Sequence, residues 1–343
     1  MNEKGSSEKV ASKVAAGDYS QDRAGILTKL LGTAILAFLL LLPLILGGNK
    51  FFIHLVNLIY HNIIILMGLL IILGFTKQFS LGQVAFYGIG AYANALLTAR
   101  GGLNFFPAFV LAGGIAAIFS LVIAVPATRF KGPWLALVTF AFAEIARILF
   151  SRLKGLTGGF AGFFNIPHPR IFGFVFGNEF RFYYIFLFSC VLLVWLTLKL
   201  KDSPAGKKWL SIGDDENISS SIGINPFVQK LLAFSTGSFF AGVAGALYAS
   251  YVNYLSPELF TLQHTLFYLT ILVVGGLESI WGAVISVILF TIFQNYLRAL
   301  YPWDMVLYGL IIILIVNLMP QGIGSKISEL GKGLSKESRG SNK

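Results

Sequence analysis

Glu144 and Arg147, in the run FAEIARILF, place a carboxylate and a guanidinium three positions apart in an otherwise apolar segment. On a helix that spacing sets both on one face, so they can neutralise each other. Charges at membrane depth need such a partner or a task, and mutual pairing accounts for these two without a substrate. The other chemistry-bearing residues are sparse. His54, His61, His168 and His264 lack metal-ligand spacing, so no metal site is expected. The lone Cys190, inside an apolar run, excludes an intrachain disulfide and reads as a packing residue. No G-x-x-x-x-G-K-[ST] occurs, so if ATP drives this protein, the nucleotide binds to another chain. No enzyme constellation and no cofactor are expected.

Two apolar segments are interrupted. In GFTKQFSLGQVAFYGIGAYANALL, Ser80, Gly82, Gly88 and Gly90 bring polar and flexible positions to membrane depth. In LVVGGLESIWGAV, Gly275, Gly276, Glu278 and Gly282 cut a short run. Paired interruptions point to broken helices along a translocation path; small residues that merely let helices pack closely are the equal alternative. Glu278 reads either as an exposed cap or as a gate contact.

Between two spans lies SPAGKKWLSIGDDENISSSIGIN, residues 203–225. Asp214, Asp215 and Glu216 suit the start of a short helix, where acids offset the positive end of the dipole. Gly223 and Asn225-Pro226 would stop it. A short helix held between two spans is a mechanical lever.

The elements that must hold these residues are membrane helices. Hydrophobic residues make up 56% of the 343 and charged ones 12%, far from soluble composition. Uncharged runs mostly reach the roughly 17–25 residues that cross a bilayer as helix, and they lack the alternation of a β-barrel. The expected fold is all-α: a polytopic membrane helical bundle of about ten spans with two broken or short helices. The spans fall near 27–46, 51–73, 80–99, 105–126, 133–151, 182–200, 231–252, 264–278, 281–298 and 303–320. Residues 1–26 and 325–343 are then cytoplasmic tails, 27–324 the membrane domain and 201–230 its cytoplasmic loop. Residues 1–29 mix both charge signs and lack a cleavage pattern, so the first span is read as retained.

Cytoplasmic loops are enriched in Lys and Arg. With the N-terminus inside, Lys77, Arg129, Lys131, Lys199, Lys201, Lys207, Lys208 and Lys230 share the cytoplasmic face with the C-terminal cations. The segment 151–181, with Arg152, Lys154, Arg170 and Arg181, is the exception and falls outside. The net charge of +11 thus serves the membrane, and without aromatic–basic interleaving no nucleic acid partner is expected.

From about Asn57 to Gly324 the chain resembles the LivM-type permeases of branched-chain amino acid ABC importers. The blocks that carry the resemblance are FSLGQVAFYGIGAY, FKGPWLALVTFAFAEIARIL, LTGGFAGF with IPHP, AGKKWLSIGDDENISSSIGIN, KLLAFSTGSFFAGVAGALYA, LVVGGLESIWGAV and NLMPQGIG. The resemblance implies a coupling helix that docks on an ATPase. Trp209 and Ile218 would be its apolar contacts, Asp214 to Glu216 its start and Gly223 its end. Ser219, Ser220 and Ser221 stand where the family commonly has alanines. It further implies ABC ATPase subunits, a second LivH-like permease and an extracytoplasmic solute-binding protein as partners. The place is the bacterial cytoplasmic (inner) membrane, in contact with lipid and with both termini inside. Alternating access driven by ATP elsewhere would move a branched-chain or related hydrophobic amino acid. A urea or short-amide permease, an ion-coupled secondary transporter using Glu144 or Glu278, and a structural scaffold are the alternatives.

Overall fold

In hydrocarbon every backbone N–H and C=O must pair within its own segment, so the apolar runs of this chain close into helices. The computed structural model describes residues 33–34, 37–45, 47, 49–130, 132–171 and 174–297, and beyond them 303, 306–307, 309–310, 313, 317, 322 and 324. The chain divides into two compact units, 1–53 and 54–343. In the first, residues 37–45 are helical and a further helix starts at Lys50. The second contains the bundle. The expected tails, nearly half of the span expected at 27–46 and most of that expected at 303–320 lie outside the described residues.

Helix α1 covers Lys50–Leu69 and continues as a π-helix over Leu70–Phe75. Then follow α2 (Gln83–Ala99), α3 (Phe105–Ala127), α4 (Pro133–Arg152) and α5 (Glu179–Asp202). The loop after α5 folds as α6 (Pro204–Asp214) and α7 (Glu216–Ser221). Helices α8 (Pro226–Val252), α9 (Leu262–Gly275) and α10 (Ile280–Leu297) complete the described bundle. Seven helices among the described residues are long and apolar enough to cross a membrane. The span expected at 80–99 starts later, at Gln83; its 17 residues reach about 26 Å, slightly short of a ~30 Å core. The segment expected outside, 151–181, contains two short antiparallel pairings: Phe163–Phe164 with Tyr254–Leu255, and Arg170–Ile171 with Phe174–Val175.

From Ile59 onward every residue of helix α1 is buried, the pattern of a helix surrounded by others, and Ile64, Ile65 and Leu66 are fully buried. Helix α3 instead leaves Val110, Ile118 and Val122 exposed, as suits lipid or a second subunit. Close approach depends on small residues, because without a hydrophobic drive between helices van der Waals packing holds them together. A Cβ on Gly90 would strike the backbone of Gly242, and one on Gly245 the carbonyl of Tyr87, which locks α8 against α2. Gly68 of α1 and Gly237 of α8 meet the same way, each Cβ position 2.5 Å from the other's carbonyl oxygen. Asn94 adds polar glue by donating to Ala246 O at 3.1 Å and Ser250 Oγ at 2.9 Å.

Gly88 and Gly90 thus both sit in close contacts with neighbouring segments, as the packing alternative expects. A Cβ on Gly88 would sit 2.7 Å from the Phe150 ring and 3.1 Å from that of Phe260. Both interrupted segments do break. Residues 77–82 separate α1 from α2, and Gly276, in the left-handed region at φ +95, ends α9 before α10 begins.

Candidate functional site

The first break begins inside α1. Its π-turn shifts the ladder to i→i+5, a distortion that recurs at functional sites. Thr76 Oγ1 then donates to Ile72 O at 2.7 Å, and Lys77 turns the chain with φ +50. Residues 78–82 cross to α4, where Leu81 N donates to Thr139 Oγ1 at 2.9 Å. Ser80, 1% exposed, accepts from Gly82 N at 3.2 Å and so shapes the turn. A Cβ on Gly82 would lie 3.3 Å from Thr139 O, a tight but tolerable fit. At the second break, Ser279 Oγ accepts from Gly282 N at 3.0 Å, and a Cβ on Gly275 would press on Ala283 Cα at 2.9 Å.

The polar loop forms two helices. Ser203 caps α6, its Oγ accepting from Gly206 N at 3.1 Å, with Pro204 in the first turn. Asp215 caps α7, its Oδ1 accepting from Asn217 N at 2.8 Å and Ile218 N at 3.0 Å. Asp214 is thus the last residue of α6 and not a helix start, a correction to the expected single helix. The reason is that Asp215 offers the backbone a cap in extended conformation, and this interrupts the run. Gly223, at φ +84, closes α7 as Ile224 N donates back to Ser219 O at 3.1 Å.

Trp209 is 2% exposed and donates its Nε1 proton to Gln229 Oε1 at 3.1 Å. It pins α6 to the start of α8 and offers no surface to a partner, which corrects its expected role as a docking contact. An amphipathic helix against a bundle buries its largest apolar side chain inward. Ile218 at 63% and Ile222 at 68% are the most exposed large apolar residues of the loop.

Both breaks and the loop converge on one residue. Lys77 Nζ lies 3.0 Å from Asp214 Oδ1 and 3.4 Å from Glu278 Oε1. The bond to Asp214 holds the Lys77 ammonium above its ordinary value. Lys201 Nζ donates to Glu278 O at 2.8 Å. Beneath these charges the backbones touch: a Cβ on Gly213 would stand 2.5 Å from Phe75 O, and one on Gly74 would strike Leu277 O. Sequence reasoning used Lys77 only to orient the chain and passed over Gly213 and Gly74. Its available signal was that Lys77 is the one charged residue between Lys50 and Arg100.

Glu144 and Arg147 pair on α4, with Arg147 Nε 3.0 Å from both carboxylate oxygens; their side chains are 37% and 29% exposed. No group of three or more His, Cys, Asp or Glu that could hold a metal ion occurs among the described residues. A cavity of about 130 Å³, lined by His61, Tyr87, Tyr248 and Tyr268 among others, lies between α1, α2, α8, α9 and α10. In its wall Tyr268 OH donates to Asn62 Oδ1, which together with Asn62 Nδ2 donating to Thr291 Oγ1 ties α1, α9 and α10, each at 3.0 Å.

Residues 51–316 match the family model for branched-chain amino acid transport system, permease component. The chain belongs to this family. It is 33% identical over 325 residues to the high-affinity branched-chain amino acid transport system permease protein LivM of Escherichia coli (strain K12), covering 88% of this chain and 76% of that one. The LivM of Salmonella typhimurium is 31% identical over the same shares. The LivH of Escherichia coli (strain K12), from the same named transport system, is 29% identical over 143 residues, 40% of this chain and 46% of that one. No solved structure matches this chain. As a member of the family with seven candidate crossings among the described residues, this permease is a multi-pass membrane protein.

Proposed function

We propose that this chain is the permease subunit of an ATP-driven importer of branched-chain amino acids. A separate ATPase supplies the energy, a LivH-like second permease completes the path, and an extracytoplasmic solute-binding protein delivers the solute. The observation that carries the reading is the junction at Lys77, where α6 meets the first break through the Lys77–Asp214 pair and the Gly213–Phe75 backbone contact, and the first break meets the second through Lys77–Glu278 and the Gly74–Leu277 contact. A push on α6 and α7 has a direct route to the membrane segments that interrupt their helices. The gathering of Lys77, Lys201 and Lys230 at this end favours a cytoplasmic face there, with both termini inside and the bilayer that of the bacterial inner membrane.

Ile218 and Ile222 are the docking contacts on this reading. Burying an aliphatic side chain of that size stabilises a complex by about 1.5–3 kcal/mol, enough for a hot spot. Asp215, Glu216 and Gly223 shape the helix that presents them. Ser80, Gly82, Gly275, Gly276 and Glu278 shape the breaks that respond. The test is crosslinking from Ile218→Cys with a maleimide benzophenone in the assembled transporter. Adducts with the ATPase are expected; reaction with lipid or solvent alone would remove the loop from the coupling interface.

A further inference from the structure

Under α6 and α7, beside the first break, lies a second cavity of about 250 Å³. Its wall carries two charges of each sign, Lys77 with Asp214 and Lys230 with Glu216, the latter pair at 2.9 Å. The two pairs cancel, so neither a lone anion nor a lone cation is favoured over a molecule carrying both charges. Gln78 also lines it and is 3% exposed. Its Nε2 donates to Thr76 Oγ1 at 2.7 Å and Lys230 O at 3.3 Å, whereas its Oε1 is buried without a partner among the described residues. A buried acceptor left unpaired is unfavourable, and an incoming N–H would satisfy it. Leu135 and Ile212, each 4% exposed, supply an apolar flank for an aliphatic side chain.

The room corresponds to roughly eight waters, comparable with the heavy-atom count of leucine. Asp214, with its side chain 74% exposed, marks the open side. We infer that this cavity is an exit-side binding site for a small zwitterionic amino acid. Its ammonium meets Asp214, Glu216 and Gln78 Oε1; its carboxylate meets Lys77 and Lys230. The inference rests on the reading of the chain as a branched-chain amino acid permease and deepens it. A bound amino acid would bridge α6 and α7 to the first break, so solute accumulated inside would hold the junction and slow further turnover.

The test uses the assembled transporter in nanodiscs, both faces accessible and the solute-binding protein left out. Equilibrium binding of radiolabelled L-leucine is measured, with isovalerate and isoamylamine as competitors that each lack one of the two charges. Saturable leucine binding is expected, with each competitor at least tenfold weaker. Gln78→Met removes the unpaired acceptor. Lys230→Glu combined with Glu216→Lys keeps an ion pair but reverses the polarity of that wall. Each variant is expected to bind leucine at least tenfold more weakly, and if Gln78→Met does not assemble the reversed pair decides alone. No saturable binding to the wild type, wild-type binding by the reversed pair, or a competitor that matches leucine overturns the site. Leucine uptake by the same preparation with the binding protein restored is read separately. Normal uptake without exit-side binding sinks the site alone; absent uptake sinks the importer reading beneath it.

Discussion

Gly213→Ala isolates the backbone contact between the loop and the first break. The new Cβ would stand 2.5 Å from Phe75 O, where an ordinary C···O contact needs about 3.3–3.6 Å. The C-terminal end of α6 must therefore retreat by about 1 Å, and overpacking of this kind costs about 1–3 kcal/mol. At about 1.4 kcal/mol per tenfold, the engaged junction becomes roughly 5- to 140-fold less populated. Lys77→Met removes both ion pairs instead. Their side chains are 44%, 74% and 57% exposed for Lys77, Asp214 and Glu278, and such pairs contribute about 0–1 kcal/mol each with a median nearer the low end, so about fivefold for one pair and roughly 25-fold for both is the ceiling. Sterics should outweigh charge here. The assay is leucine transported per ATP hydrolysed in proteoliposomes, with assembly checked by gel filtration. Gly213→Ala should assemble and hydrolyse ATP while the ratio falls at least fivefold, and Lys77→Met should lower it less. A wild-type ratio for Gly213→Ala, or a larger loss for Lys77→Met, would refute the reasoning.

Trp209→Ala empties a buried site and frees Gln229, so it should lower the thermal stability of the subunit by about 3–5 kcal/mol before it alters ATPase affinity, as read by melting against pull-down. Ile218→Ala should do the reverse, weakening ATPase association by about 2 kcal/mol with the melting temperature unchanged. Gly90→Val should abolish assembly on blue native gels, because its side chain must enter the backbone of Gly242. Lys77 is held above its ordinary value of 10.5. Its stabilising contribution is complete below that value and lost only as pH rises through the higher folded one. Coupling should be flat from about pH 6 to 8, the range in which histidine titrates; a fall there would implicate another group.

Much of this architecture is legible in the sequence, for physical reasons. Uncharged runs of bilayer length leave the backbone one solution, so α3, α4, α5 and α8 fall close to where charge spacing puts them. Glycines marked the second helix break, where Gly276 takes a positive φ that other residues resist, whereas at the first break the positive φ falls on Lys77. Single-sequence reading could not separate a glycine that relaxes the backbone from one that admits a neighbouring helix. Gly90 needs the opposing Gly242, 152 positions away in the chain, to declare itself. The loop failed differently. Trp209 is apolar and lies in a polar stretch, which fits an outward anchor as well as an inward pin; Gln229 decides between them only in three dimensions. Lys77 was visible as an isolated charge, but its partners Asp214 and Glu278 come from two distant segments.

The most direct measurement is uptake of radiolabelled leucine into proteoliposomes holding this chain with the LivH-like permease, the ATPase and external binding protein. The account predicts that uptake requires ATP at the ATPase face, persists when ion gradients are collapsed by ionophores, and disappears when this chain is omitted. Uptake that runs without ATP and stops when the ion gradient is removed would contradict it.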